Sequence, residues 1–590
     1  MKFLTKEEKK ELVDCAMDRI DCDLIITDAN IFNVFTKETY PGEIYIKNGY
    51  IAYIEQRKEF FGKGKTNKTY SANNKIVVPG FIDSHMHIES SMLTPQNFST
   101  VVIPKGTTTV VTDPHEIGNV MGIEGVEYMI EAGKHTYMNQ YILAPSCVPA
   151  VPGLETSGAV FNAPEIEYLL DKENVLGLAE VMDYYGVLNN SQRMTDILEV
   201  AEKKNVFIQG HFFGEDPREI SAYLCAGPQS NHEFYTGKDA LQALRYGMVV
   251  DARDSSFARN INCLVNAVKD IDTFDRMTLC TDDKEPEELL KRGHLDDCIR
   301  SAISSGRSFE ETIKSVTIIP ALQFKLKHIG AIAPGYVANL NFIENKNDVR
   351  VSDVFFEGVL VAKDNKMVKE FEKYTNSVET KNTVFVDNFD CSNLKIKAPI
   401  ENGTIKTTVV EYESLDSSIT KQKIVELPVK DGFLSLEGHE ELNFIAVVNR
   451  HKNCDNYFVG VTEKFHLNEG ALAGTVSHDS HNLTVVFNDI EDAKTAIEEI
   501  KKLKGGVVYV HENKLEKVAL PIAGLLSNLD PEELVPKVKR MNEFLKEVGI
   551  KNENPIMRLF TAALPVVPTI KITDMGLVDT INQKFLNLFV

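Results

Sequence analysis

The 590-residue sequence has nine cysteines, at positions 15, 22, 147, 225, 263, 280, 298, 391 and 454, but no Cys-x-x-Cys pair. That scatter argues against a zinc ribbon or a disulfide framework and fits a reducing compartment. No run approaches the roughly 20 apolar residues a membrane helix needs. The first residues, MKFLTKEEKKELVDCAMDRI, are charged throughout and offer no signal-peptide core. The cytoplasm is therefore the expected location, with no membrane as partner. Positive charge is also short, with 64 Lys and Arg against 86 Asp and Glu and a formal net charge of −22. Such a surface repels a phosphate backbone, which argues against nucleic acid as a partner but leaves a small neutral substrate open. Internal repeats and low-complexity linkers are absent as well.

What is present is an ordinary globular composition, 43% hydrophobic and 25% charged, in a chain long enough for about three domains. Residues 6–20 read as an amphipathic helix, with Leu12, Cys15, Ala16 and Ile20 on one stripe. From Asp23, DLIITDANIFNVF and GEIYIKNGYIAYIE are short β runs, and the second contains an Asn-Gly turn. GAIAPGYVANLNFIE and VSDVFFEGVLVAKD repeat that texture much later. One small β domain, assembled from both flanks of an inserted unit, accounts for both pieces.

Between them, from about Lys75 to Lys327, eight apolar runs alternate with helical patterns such as SQRMTDILEVAEKK and DDCIRSAISSG. The runs are KIVVPGFIDSH, TTTVVTDPHE, QYILAPSCV, VLGLAEVMD, VFIQGHFFG, a short one ending SNHE, GMVVDARDSS and MTLCTDD. Eight βα units over roughly 250 residues have the size and rhythm of a (β/α)8 barrel. The sixth run, AGPQSNHE, is barely apolar. The expected α/β architecture is a barrel at 76–328, a small flanking β domain made of 1–75 and 329–391, and a C-terminal α+β domain at 392–590.

Barrels gather reactive groups at the C-terminal ends of their strands. Here those ends carry His85 and His87, then Asp113-Pro114-His115-Glu116, Glu180, His211, His232 and Asp282-Asp283. Side chains alternate along a strand, so His85 and His87 point the same way and can share an ion. Four imidazoles and two carboxylates suit zinc, manganese or iron rather than calcium. A single histidine such as His211 or His232 is more often a hydrogen-bonded core residue, but coincidence at several strand ends favours a ligand set. His135, His294, His328, His439, His466 and His511 lack that placement and read as structural or surface residues. Glu180, with no cation beside it in LGLAEVM, is suited to bridge two ions. Asp282 is the natural base, able to take a proton from water and pass it to a leaving group.

PGFIDSHMHIESSMLTP at 79–95 resembles the adenine deaminase form of the amidohydrolase metal motif. The likeness continues through TDPHEIGNV, GLAEVMD, CTDD, GAIAPG, VVNRHK, VSHDSHN, PIAGL and LPVVPTIKITDMGLVD, nearly the whole chain. HIESSM together with HDSHN makes it specific. The resemblance implies a (β/α)8 metallo-hydrolase, hydrolysis of adenine to hypoxanthine and ammonia, a role in purine salvage and a homo-oligomer. It also implies two divalent metals per chain, manganese first, with Fe2+ or Zn2+ as alternatives. His85, His87 and Asp282 would hold one ion and His211 with His232 the other, with Glu180 bridging.

Three stretches depart from the family pattern. His211-Phe212-Phe213 replaces His-Ala-Pro, Ser230-Asn231 replaces Ser-Asp, and Arg253-Asp254-Ser255-Ser256 replaces Arg-Glu-Gly-Ser. Every expected ligand survives, so the departures bear on substrate, and the phenyl rings are expected to wall the pocket. Glu89 and His115 are candidates to orient ligands or to protonate a ring nitrogen, alongside Asp282 as catalytic base. Arg253, Phe212, His478, Asp479 and His481 are candidate substrate contacts, the last three in a polar cluster that reads equally as a structural turn. Arg450-His451 carries the same two readings. Another amino-purine or cyclic amidine is the alternative substrate class, and a metal-binding protein without turnover is the alternative of a different kind.

Overall fold

The computed structural model describes residues 4–590 apart from Asn67, Glu215, Phe257, Phe274, Asp416, Asn453 and Asn513. Its first helix, Lys6–Ala16, opens on a capping box in which Thr5 and Glu8 satisfy each other's main-chain N–H. The helix stops short of Ile20 because the chain turns at Asp18, which has a left-handed φ of 56°. Leu12, Cys15 and Ala16 still pack, with Ile20, on Ile25 and Tyr45 of the flanking sheet.

That sheet has nine strands drawn from both ends of the barrel segment. Leu24–Asn33 and Leu340–Ile343 meet on either side of Ile76–Pro79, which pairs parallel with the first and antiparallel with the second. Ile26, Ile31, Ile44, Leu340 and Phe342 form its core. The run KIVVPGFIDSH is thus two strands rather than one. Gly80 lies between them, and a side chain there is excluded because a Cβ would lie 2.2 Å from Thr108 Oγ1.

The barrel strands are β1 (Phe81–His87), β2 (Thr107–Thr112), β3 (Asn139–Ala144), β4 (Val175–Val181), β5 (Phe207–Gly210), β6 (Ser230–Asn231), β7 (Val249–Arg253) and β8 (Met277–Cys280). β1 to β5 pair parallel in chain order, as do β6 to β8, and Asp282–Asp283, just past β8, pairs with Met86 and His87 of β1, so that the two ladders part only between β5 and β6. All eight expected runs supply a strand, as a (β/α)8 fold requires. The weak sixth run holds its place through polar groups. Gln229 N donates to Ile208 O (2.9 Å), and the Asn231 amide exchanges bonds of 3.0 and 2.9 Å with the main chain of Phe212. Asn231 thereby extends the β5–β6 seam where apolar packing is thin.

The C-terminal domain is a second nine-stranded sheet backed by helices Ile490–Leu503 and Pro531–Glu547, followed by a three-stranded sheet at Ile570–Leu586. It lies against the barrel mouth. Asn482 Nδ2 donates to Thr156 O (2.9 Å), Thr156 N to Asp574 Oδ1 (3.0 Å) and Ser527 N to Met92 O (2.8 Å). Arg450 is fully buried and its guanidinium donates to the carbonyls of Thr383 (3.0 Å), Ala523 (2.9 Å) and His481 (2.5 Å). It fixes the loop 475–482, so of its two readings the structural one describes its contacts. No helix among the described residues is long and apolar enough to cross a membrane.

Glu285, just past β8, is buried at the join with helix Pro531–Glu547, and burial together with Glu288 and Glu287 pushes its carboxyl up to about 8. The folded chain therefore holds that proton more tightly than the unfolded chain, and stability drains away as pH rises from the ordinary carboxyl range to about 8. Glu285→Gln removes this loss. Melting curves of the two proteins should coincide most nearly near pH 5 and diverge in favour of the variant toward pH 8.5. A difference in Tm that does not change with pH would contradict the assignment.

Candidate metal centre and catalytic cavity

The mouth of the barrel holds its imidazoles in fixed directions. His85 Nδ1 donates to Gln209 Oε1 (3.0 Å), and Gln209 Nε2 donates to Ser84 O (2.7 Å), so a β5 side chain sets the ring of a β1 histidine. His87 Nδ1 donates to the carbonyl of Asp113 (3.0 Å). Both rings thus turn Nε2 inward, toward Asp282 Oδ1 at 3.5 Å and 3.3 Å respectively. An outer partner that fixes tautomer and direction is what a ligating histidine requires.

Glu180 stands between two halves of this array. Its Oε1 lies 3.4 Å from His87 Nε2, while its Oε2 lies 2.7 Å from His211 Nδ1 and 3.2 Å from His232 Nε2. Asp282 is divided likewise: Oδ1 faces His85 and His87, and Oδ2 accepts from the Arg253 guanidinium. Burial alone would raise both carboxyls, but His211 and His232 hold Glu180, and Arg253, His85 and His87 hold Asp282, well below the usual range. Both are ionised in a nearly dry site.

The donor set fits a divalent cation. His85 Nε2 and His211 Nε2 are buried with no hydrogen-bond partner, a costly state for an imidazole unless something else takes the lone pair. The groups His85–His87–Asp282, His85–Glu180–His232 and His211–His232–Glu233 each bring three ligand atoms within 4.8 Å of one another. Imidazole and carboxylate donors in that ratio suit zinc, iron or manganese.

A cavity of about 300 Å³ opens over this array. His87, His115, Glu180, His211, His232, Arg253 and Asp282 line it from the barrel, and His478 and Asp479 from the C-terminal domain. The structure thus brings together most of the residues singled out in the sequence, with His85 just behind.

Three lie elsewhere. Phe212 turns away from the cavity: its ring stacks on Tyr223 (4.9 Å) and meets Tyr184 edge-on (5.3 Å). Successive side chains of an extended segment point to opposite sides, so Phe213 forms the wall instead, its ring 5.0 Å from that of His211 and stacked with Tyr235 at 6.2 Å. Glu89 sits behind β1, receives the N–H of Ile117 (3.4 Å), and is pushed by burial and by Glu116 up to about 8. His481 lies deeper in its loop, outside the cavity lining.

Arg253 borders the cavity, but its charge is already engaged, with Glu233 Oε2 at 2.7 Å and Asp282 on the other side. Glu233 was overlooked in the sequence, although its place next to His232 at a strand end was a usable signal. Tyr235, Leu564 and Val567, which supply apolar wall, gave none, because they reach the cavity through long-range packing.

The sequence pattern of the amidohydrolase family matches residues 76–361, and that of the adenine deaminase C-terminal domain matches residues 417–584. The chain is 37% identical over 580 residues to an adenine deaminase of Clostridium acetobutylicum, covering 98% of this chain and 99% of that one. It is 37% identical over 573 residues to adenine deaminase 2 of Carboxydothermus hydrogenoformans, covering 97% of each. To the adenine deaminase of Thermosipho africanus it is 37% identical over 587 residues, covering 98% and 99%.

Gln209→Leu keeps the volume but frees the His85 ring. Divalent-metal affinity should weaken by about 10- to 100-fold, the usual effect of losing an outer hydrogen bond to a ligand. Competition with a chromogenic chelator measures it, and unchanged affinity would show that Gln209 does not position His85.

Proposed function

The chain belongs to the adenine deaminase family, and on that footing we propose that it hydrolyses adenine to hypoxanthine and ammonia, in purine salvage, in the cavity between barrel and C-terminal domain. The observation that carries this is the division of Glu180, one oxygen toward His87 and the other toward His211 and His232, above a cavity of about 300 Å³. His85, His87 and Asp282 would hold one divalent cation and His211 with His232 a second, with Glu180 between them. Manganese is the preferred ion, and iron(II) and zinc suit the same donors. A divalent cation in such a site supplies ionisation of water near neutral pH and so a nucleophile.

The protein's own groups perform the proton transfers. Attack at the ring carbon that bears the amino group pushes charge onto the neighbouring ring nitrogen. His115, which lines the cavity with Nδ1 toward Asp113 Oδ2 at 3.2 Å and Nε2 toward Asp479 Oδ1 at 3.5 Å, would donate the proton there. Asp282 accepts the proton of the attacking water and returns it to the departing amine. Its other oxygen, Oδ2, stays with Arg253, which keeps the carboxylate oriented. Phe213, Tyr235, Leu564 and Val567 supply an apolar enclosure for a flat heterocycle.

Asp282→Asn keeps the shape and removes the proton acceptor, so turnover on adenine should fall by ~10²-fold or more. Bound manganese should fall less than in His87→Ala. Turnover near wild type would assign the proton transfer to another group.

Free adenine should be deaminated far faster than adenosine, because Phe213 and Tyr235 narrow the cavity wall where a ribose would have to pass. Ammonia release from a panel of amino-heterocycles reads this directly. Equal rates on the two would contradict the enclosed pocket, and release from a different heterocycle alone would replace adenine as substrate.

A further inference from the structure

Beyond the six barrel ligands lies another set of buried donors, of which only His478 borders the cavity. Glu116 opens the helix His115–Met121 behind β2, while His478 and His481 sit in the loop 475–482 of the C-terminal domain. Each offers a ligand atom, and all these atoms lie within 4.8 Å of one another. Glu116 and His481 are wholly buried and His478 is 4% exposed.

Their other contacts leave the donor atoms idle. Glu116 Oε1 accepts from Ser90 Oγ (2.8 Å), but Oε2 has no hydrogen-bond partner. His478 Nδ1 lies toward Asp479 Oδ1 (3.5 Å), and its Nε2 has none. His481 has none on either ring nitrogen. A buried imidazole with both nitrogens unsatisfied is a state that folded proteins rarely tolerate. Ser90 Oγ is shared between Glu116 and Asp283, and Glu89 adjoins Glu116. Among the described residues no Lys or Arg pairs with Glu116, and the nearby Arg450 is spent on backbone carbonyls.

We propose that Glu116, His478 and His481 form a separate divalent-cation site that fastens the C-terminal domain to the barrel. Two imidazoles and one carboxylate are the donors of a transition-metal ion of the zinc and manganese class, with water in the remaining position. The ion takes the lone pairs that the fold leaves unpaired and pairs with the Glu116 carboxylate. Its ligands come from two parts of the chain more than 300 residues apart, so binding closes the interface that roofs the cavity. The site shares no ligand with the barrel centre, and Glu116 and His481 do not line the cavity.

Metal content of the full chain tests this. Protein stripped with a chelator is reloaded with zinc or, separately, with manganese, desalted and measured by inductively coupled plasma mass spectrometry. Glu116→Gln and His481→Asn should each bind one equivalent fewer than wild type, and the double variant no fewer than either single one. His87→Ala/His211→Ala, disabled in the barrel, should keep one equivalent that is lost on adding His481→Asn. Failure of the barrel reading would instead appear as full metal content in His87→Ala/His211→Ala. Metal content equal to wild type in both folded single variants would overturn the proposal. Should the variants not fold, anomalous scattering from zinc-loaded wild-type crystals decides it: a peak between Glu116 and His481 supports the site, and none there overturns it.

Discussion

Everything at the mouth of the barrel depends on keeping two carboxylates ionised where almost no water reaches. Glu180 and Asp282 are each 2% exposed, and an isolated charge buried so deeply would take up a proton instead. Each is held by partners on different strands: Glu180 by His87, His211 and His232, and Asp282 by His85, His87 and Arg253. The charge pattern thus ties β1, β4, β5, β6, β7 and the end of β8 together at one point. With Nδ1 of His85 and His87 donating outward, their Nε2 atoms face Asp282, where a divalent cation would stand in place of a proton.

The C-terminal domain supplies what the barrel lacks. A (β/α)8 mouth is open to solvent, and the proton transfer proposed for His115 needs a restricted site. The loop 475–482 brings His478 and Asp479 across it, and Arg450 holds that loop through backbone carbonyls, His481 O among them. Sequence segments far apart, Ser84 with Gln209 and Thr156 with Asn482, bond directly. The ligand shell and its cover are therefore parts of one interface.

Much of this was legible in the amino-acid sequence because strand ends are local. An apolar run that stops at His85, Glu180 or His211 announces both a strand and a residue at the barrel mouth. Other features depend on pairing that no local pattern encodes. The need for glycine at position 80, between the two strands of KIVVPGFIDSH, follows from contact with Thr108 on the neighbouring strand. The sixth strand persists through the Asn231 amide rather than through apolar residues. Phe212 and Phe213 look equivalent in sequence, yet alternation sends one into the barrel wall and the other into the cavity. The engagement of Arg253 by Glu233 and Asp282 joins strand ends that only closure of the barrel brings together.

The central claim is that adenine deamination proceeds on divalent cations held by these strand-end residues. The most direct measurement is a metal titration of chelator-stripped protein, with ammonia release from adenine and bound manganese followed on the same sample. The account predicts negligible activity without metal and activity that rises with bound manganese until the barrel ligands are filled. Full deamination of adenine by protein shown to contain no metal would contradict it.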